Sequence, residues 1–126
     1  MKREIKFRAY RKSTQNICNV LSIDFEKEWV LLSDGDEEDI SDLDLMQYTG
    51  LHDKNGREIY ENDLLQCTSY TYGNGETGKT SLLVKYDEMS AGFIAGPYML
   101  GKLMDIRKCE VIGNIFENPE LLEGKQ

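Results

Sequence analysis

The stretch from Leu45 to Leu65 constrains the fold more than any other part of the chain. Asn55-Gly56 lies between two apolar runs, and both residues tolerate positive φ, so the pair predicts a tight type I′ reversal between antiparallel strands. After a short return, a second polar turn at Glu61-Asn62-Asp63 leads into a further strand at Leu64-Leu65. Reversals this close together favour a β structure. The stretch holds no nucleophile beside a base and no cluster of metal ligands, so it speaks of fold and not of a reaction.

The flanking sequence has the same character. Ile5, Phe7 and Ala9 alternate with Lys6 and Arg8, the period of a half-buried strand with its basic side chains outward. Leu21, Ile23 and Phe25 alternate with Ser22, Asp24 and Glu26 to give a second strand, and Trp29 to Leu32 gives a third, making an antiparallel meander. Leu64 to Tyr72, Ser81 to Tyr86, Gly92 to Ala95 and Cys109 to Phe116 read as strands, and Tyr98 to Met104 as an apolar run. Asn118-Pro119-Glu120-Leu121-Leu122 predicts a short terminal helix with Asn as N-cap and Pro in the first turn. The whole is all-β: a meander over residues 1–48 carrying an acidic loop, packed on a small SH3-like barrel over residues 49–126 that ends in the helical turn.

Charge is segregated along the chain. Six basic side chains against one acid leave the first twelve residues at +5, so a total of −8 puts −13 on the remainder. A field of that sign repels a phosphate backbone, and direct nucleic-acid binding is not expected. The basic strand is better explained by pairing with the acidic stretch Asp34–Asp44, within the chain or between subunits. No membrane-spanning segment or signal peptide is expected, which makes the chain a cytoplasmic protein. Cys18, Cys67 and Cys109 have no Cys-x-x-Cys spacing and read as three buried thiols, because an odd count argues against a disulfide framework.

Several tempting sites fail on physical grounds. Gly73-Asn74-Gly75-Glu76-Thr77-Gly78-Lys79-Thr80 fits the P-loop expression, but the phosphate grip needs a helix starting at Gly-Lys-Thr. The residues that follow, Leu82 to Asp87, look like a strand, so Gly73–Thr80 is a hairpin tip and a nucleotide-binding enzyme is only the weakest alternative. The acidic loop matches the first two positions of a calcium loop at Asp34 and Asp36, then has Asp39 where Gly is required and Leu45 where Glu is required. It reads as a solvated loop with one helical turn near Ser41. A zinc site would need the three cysteines and His52 to converge from separate strands, and His52 reads as an exposed loop residue. No catalytic residue, metal or cofactor is assigned.

Three ordered blocks resemble the YopX family of small bacteriophage and prophage proteins. They are Ile5-Lys6-Phe7-Arg8-Ala9-Tyr10; the central run Met46 to Leu51, Asp53 to Gly56, Glu58 to Glu61 and Asp63; and Glu110 through Leu122. Asn62 stands where that family usually has Gly, and Asn is the non-glycine residue that best tolerates left-handed backbone. Arg11 stands where an acidic residue usually follows the aromatic. The resemblance implies a phage or prophage origin and brings no defined activity with it.

The sequence thus leads to a non-enzymatic accessory protein that self-associates and binds an unidentified host or phage protein. An alternative is an acidic DNA mimic that occupies a host nucleic-acid-binding protein. The candidate binding residues are Tyr48, Asp53, Asn55, Gly56, Tyr60 and Asp63, and the wider tyrosine set adds Tyr70, Tyr72 and Tyr98.

Overall fold

The computed structural model describes the backbone of residues 3–71 and 77–123, and the side chains of the same residues other than 69–71, 77 and 123. Internal contacts divide the chain into two units, Met1–Tyr48 and Thr49–Gln126. The fold is all-β, built from antiparallel sheets with two short helices.

In the first unit β1 (Phe7–Arg11), β2 (Asn16–Asp24), β3 (Trp29–Leu32), β4 (Glu37–Asp39) and β5 (Leu43–His52) lie in the order β4-β3-β2-β1-β5. Ala9, Cys18, Val30, Leu32 and Leu43 form its core, with Val20, Ile23, Ile40 and Leu45 packed against them. The acidic stretch is more regular than a solvated loop: it supplies β4 and then a 3₁₀ turn at Ile40–Asp42, where Asp39 accepts from the Ser41 N–H at 2.9 Å. Two apolar positions do not go inward as their alternation predicts. The β2–β3 register shifts between Val20 and Ser22, so that Leu21 is an extra residue, and both Leu21 and Phe25 end up exposed. Ile5 precedes the first strand and is exposed as well.

The chain enters the second unit within β5, and there the strand order continues to β6 (Glu58–Tyr60). A five-stranded sheet follows, β10 (Tyr98–Met99), β9 (Gly92–Ala95), β8 (Thr77–Asp87), β7 (Asp63–Thr71) and β11 (Cys109–Asn114) in that order. Its order is open, with β10 and β11 at opposite edges, so the described strands do not close into the expected barrel. The apolar run after Pro97 becomes β10 and then helix α1 (Leu100–Ile106), whose Leu100 and Leu103 enter the core beside Ile59, Leu65, Val84 and Val111. Helix α2 (Pro119–Glu123) begins at the proline, as its N-terminal signals predict. None of the helices among the described residues is long and apolar enough to cross a membrane.

Candidate functional site

The central turn differs from a type I′ reversal, and the difference explains its residues. Only Gly56 is left-handed (φ +84°), and its N–H donates to the Asp53 carbonyl at 3.0 Å, so the loop is a turn followed by a left-handed glycine. Asp53 organises it. One carboxylate oxygen accepts from the N–H groups of Asn55 (2.9 Å) and Arg57 (2.8 Å), and the other accepts from Val111 on β11 at 2.9 Å. Burial alone would raise the Asp53 pKa, but the bonds from Val111, Arg57 and Asn55 outweigh it and hold the carboxyl below its ordinary value. The Lys54 N–H donates to the Cys109 carbonyl at 3.0 Å, which fixes the loop to β11 a second time.

The next turn is built in a similar way. Asn62 adopts φ +70°, the left-handed conformation that its identity allows, and its N–H reaches the Val84 carbonyl at 2.9 Å. Asp63, 1% exposed, accepts from the Tyr60 N–H at 2.8 Å. Of the six candidate binding residues, Tyr48, Asp53, Tyr60 and Asp63 are buried, and only Asn55 and Gly56 face solvent. The backbone bonds of Asp53, Gly56, Tyr60 and Asp63 given above shape turns of the fold. Tyr48 lies in the first unit, with the Lys6 ammonium 5.0 Å from its ring centroid. In the wider tyrosine set Tyr98 is exposed, while the Tyr70 side chain and Tyr72 lie outside the described residues.

The pairing of basic strand and acidic loop is made within the first unit by Arg11. Its guanidinium is 5% exposed and donates to Asp34 and, at 2.9 Å, to Asp36; Nε lies 3.9 Å from Glu38, and Nη2 lies 3.4 Å from Cys18 Sγ. The Asp34 carboxylate holds Arg11 protonated well above the usual range. Asp34 is itself lowered, first by the Asp36 N–H and then by Arg11. Arg11 supplies the positive charge that a bound cation would bring to Asp34 and Asp36. Among the described residues no group of three His, Cys, Asp or Glu side chains is arranged to hold a metal. Position 11 was legible as a departure from the YopX pattern, but its burial among the carboxylates was not.

The cysteines require a correction. Cys67 and Cys109 stand directly opposite each other on β7 and β11, with Cα atoms 4.1 Å apart, and form a disulfide; Cys18 alone is unbridged. Sequence spacing hides this pairing, because 42 residues separate the two and only strand register brings them together. It also removes two of the four residues that a zinc site would have needed. Lys79 and Thr80 lie in β8, with Lys79 opposite Thr68, so no helix starts at the Gly-Lys-Thr. Residues 73–76 lie outside the described residues.

One surface was not read from the sequence. Ile5, Phe7, Val20, Leu21, Ile23 and Phe25, together with Lys6 and Ser22, line an open groove of about 590 Å³ in the first unit. Among the described residues of the second unit, the most exposed large apolar side chains are Met89, Met99 and Ile106.

Fold and surfaces define a small two-unit β protein whose central turn residues serve architecture and whose first unit has an open apolar groove. The chain belongs to the YopX family: the sequence profile described as "YopX protein" matches residues 6–123, nearly the whole chain. The crystal structure of protein EF1440 from Enterococcus faecalis is similar, with a TM-score of 0.71 and 24% identity over 96% of this chain and 99% of that one. That likeness bears on the fold. No curated protein matches significantly.

Proposed function

We propose that this chain is a non-enzymatic phage or prophage accessory protein that acts by self-association and by binding a second protein. The observation that carries the reading is the apolar groove of the first unit, because large apolar side chains gathered into one exposed patch mark interaction sites more often than isolated ones do. The exposed Met89 and Met99 of the second unit add adaptable side chains of a kind used at protein interfaces. The DNA-mimic alternative is weaker, since part of the charge of Asp34, Asp36 and Glu38 is met by the buried Arg11 guanidinium.

Light scattering of the purified chain over a range of concentrations tests the reading. The expected outcome is a mass that rises with concentration to a closed oligomer. A monomer at every concentration overturns the self-associating part. Affinity capture from infected cells addresses the second partner, and recovery of nucleases or polymerases would favour the mimic instead. An ATP titration is expected to show no binding.

A further inference from the structure

The surface that carries the functional reading also has a shape from which a partner can be argued. Phe25, 79% exposed, stands at the head of the β2–β3 turn and is itself part of the groove's lining. The turn is braced: Asp24 Oδ1 accepts from the N–H groups of both Glu26 and Lys27 at 3.0 Å, and Glu28 is held left-handed at φ +60°. A braced turn fixes the backbone that carries Phe25, so burial by a partner has to order only the side chain. The lining of one hollow therefore includes a large side chain that stands mostly in solvent, free to enter the hollow of a second copy.

Charge follows the same arrangement. Lys6 lines the groove and Arg3 precedes it, with Glu4 between them 3.3 Å from the Lys6 ammonium, which leaves one net positive charge there, whereas Phe25 is flanked by Asp24, Glu26 and Glu28 with Lys27 as the only cation among them. A patch with a net positive side at Arg3–Lys6 and a net negative side at Asp24–Glu28 is self-complementary under a two-fold axis, the usual symmetry of small homo-oligomers. Two chains of net charge −8 repel at long range, so their contact has to bring opposite local charges together.

Resting on the self-association reading above, we propose that the groove is occupied by a second copy of this chain, each copy placing Phe25 in the other's hollow. In that arrangement Lys6 of one copy meets the acidic β2–β3 turn of the other. A buried aromatic at the centre of the contact then dominates the affinity, and the charged rim sets the orientation.

Sedimentation velocity on the full chain, with circular dichroism as the folding control, tests the proposal. Phe25→Ser alters a side chain that is mostly in solvent, so the fold is retained, and the expected effect is a loss of association of roughly 100-fold or more. Glu26→Lys and Lys6→Glu each weaken association, and the double variant recovers it. A wild-type chain that associates while Phe25→Ser associates equally well overturns this proposal and leaves the self-association reading standing. A wild-type chain that stays monomeric overturns both, and binding of a small apolar fluorophore to that monomer would assign the groove to a different ligand.

Discussion

The two units complete themselves by different means. The second is closed by a covalent bridge between β7 and β11, by the Asp53 carboxylate satisfying three backbone N–H groups, and by a helix that adds two leucines to its core. The first is closed at one place by ion pairs around Arg11 and is left open at another, where its apolar side chains line a groove. Hydrogen bonds to backbone and disulfides keep their worth in a small domain, while ion pairs to half-exposed carboxylates are weakened by solvent. The contrast teaches where to look for a partner: the unit whose apolar surface is unfinished has the most to gain from another chain.

The largest effect that sharpens this contrast is reduction of Cys67–Cys109. Opening a bridge that spans 42 residues is expected to cost about 4 kcal/mol through the entropy of the unfolded chain, read as a lower urea midpoint with reductant. An unchanged midpoint would mean that the second unit is not held covalently. Next comes Asp53→Ala, which strands the N–H groups of Asn55, Arg57 and Val111 and is expected to cost about 3 kcal/mol in the same assay. Asp53→Asn recovers only part of it.

Gly113→Ala follows at about 2 kcal/mol, measured by thermal unfolding, because a Cβ at that position would stand 2.3 Å from Asn118 Oδ1. The Asn118 side chain approaches this closely because it accepts the Asn114 N–H at 3.2 Å, which locks the end of β11 to the start of α2. A neutral outcome would show that the turn can shift without loss.

Acid produces the smallest effect at first and touches both units. Asp34 and Asp53 both lie below the ordinary value of 3.8 in the folded chain, so the stability they contribute is fully present above that value. It is lost as pH falls through their folded values. The Asp34 share is small because its carboxylate is half exposed, and it diminishes further in high salt. An Asp53→Ala chain is expected to show a shallower loss in acid than the parent, followed by unfolding at stepped pH.

Much of this was legible from local chemistry. Asn62 takes the left-handed backbone its identity allows, the helical turn near Ser41 is present, and Pro119 opens the last helix. These are decided by a residue and its near neighbours. The parts that were not legible depend on register or on distant partners. A one-residue bulge takes Leu21 out of the inward apolar alternation, and Phe25 falls in the turn beyond the end of β2, so both are exposed. Cys67 and Cys109 became neighbours only through the β7–β11 ladder, and Asp53 reached Val111 across 58 positions of sequence. The tyrosines and aspartates around the central turn had the residue types of a binding site, yet they are largely spent on the fold.

Hydrogen exchange of the wild-type chain at low and high concentration tests the contrast between the units most directly. The account predicts that amides of residues 5–7 and 20–25 gain protection as the chains associate, while those of β7 and β8 in the second unit stay as they were. Association with the gain in β7 and β8, and none around Phe25, would contradict it.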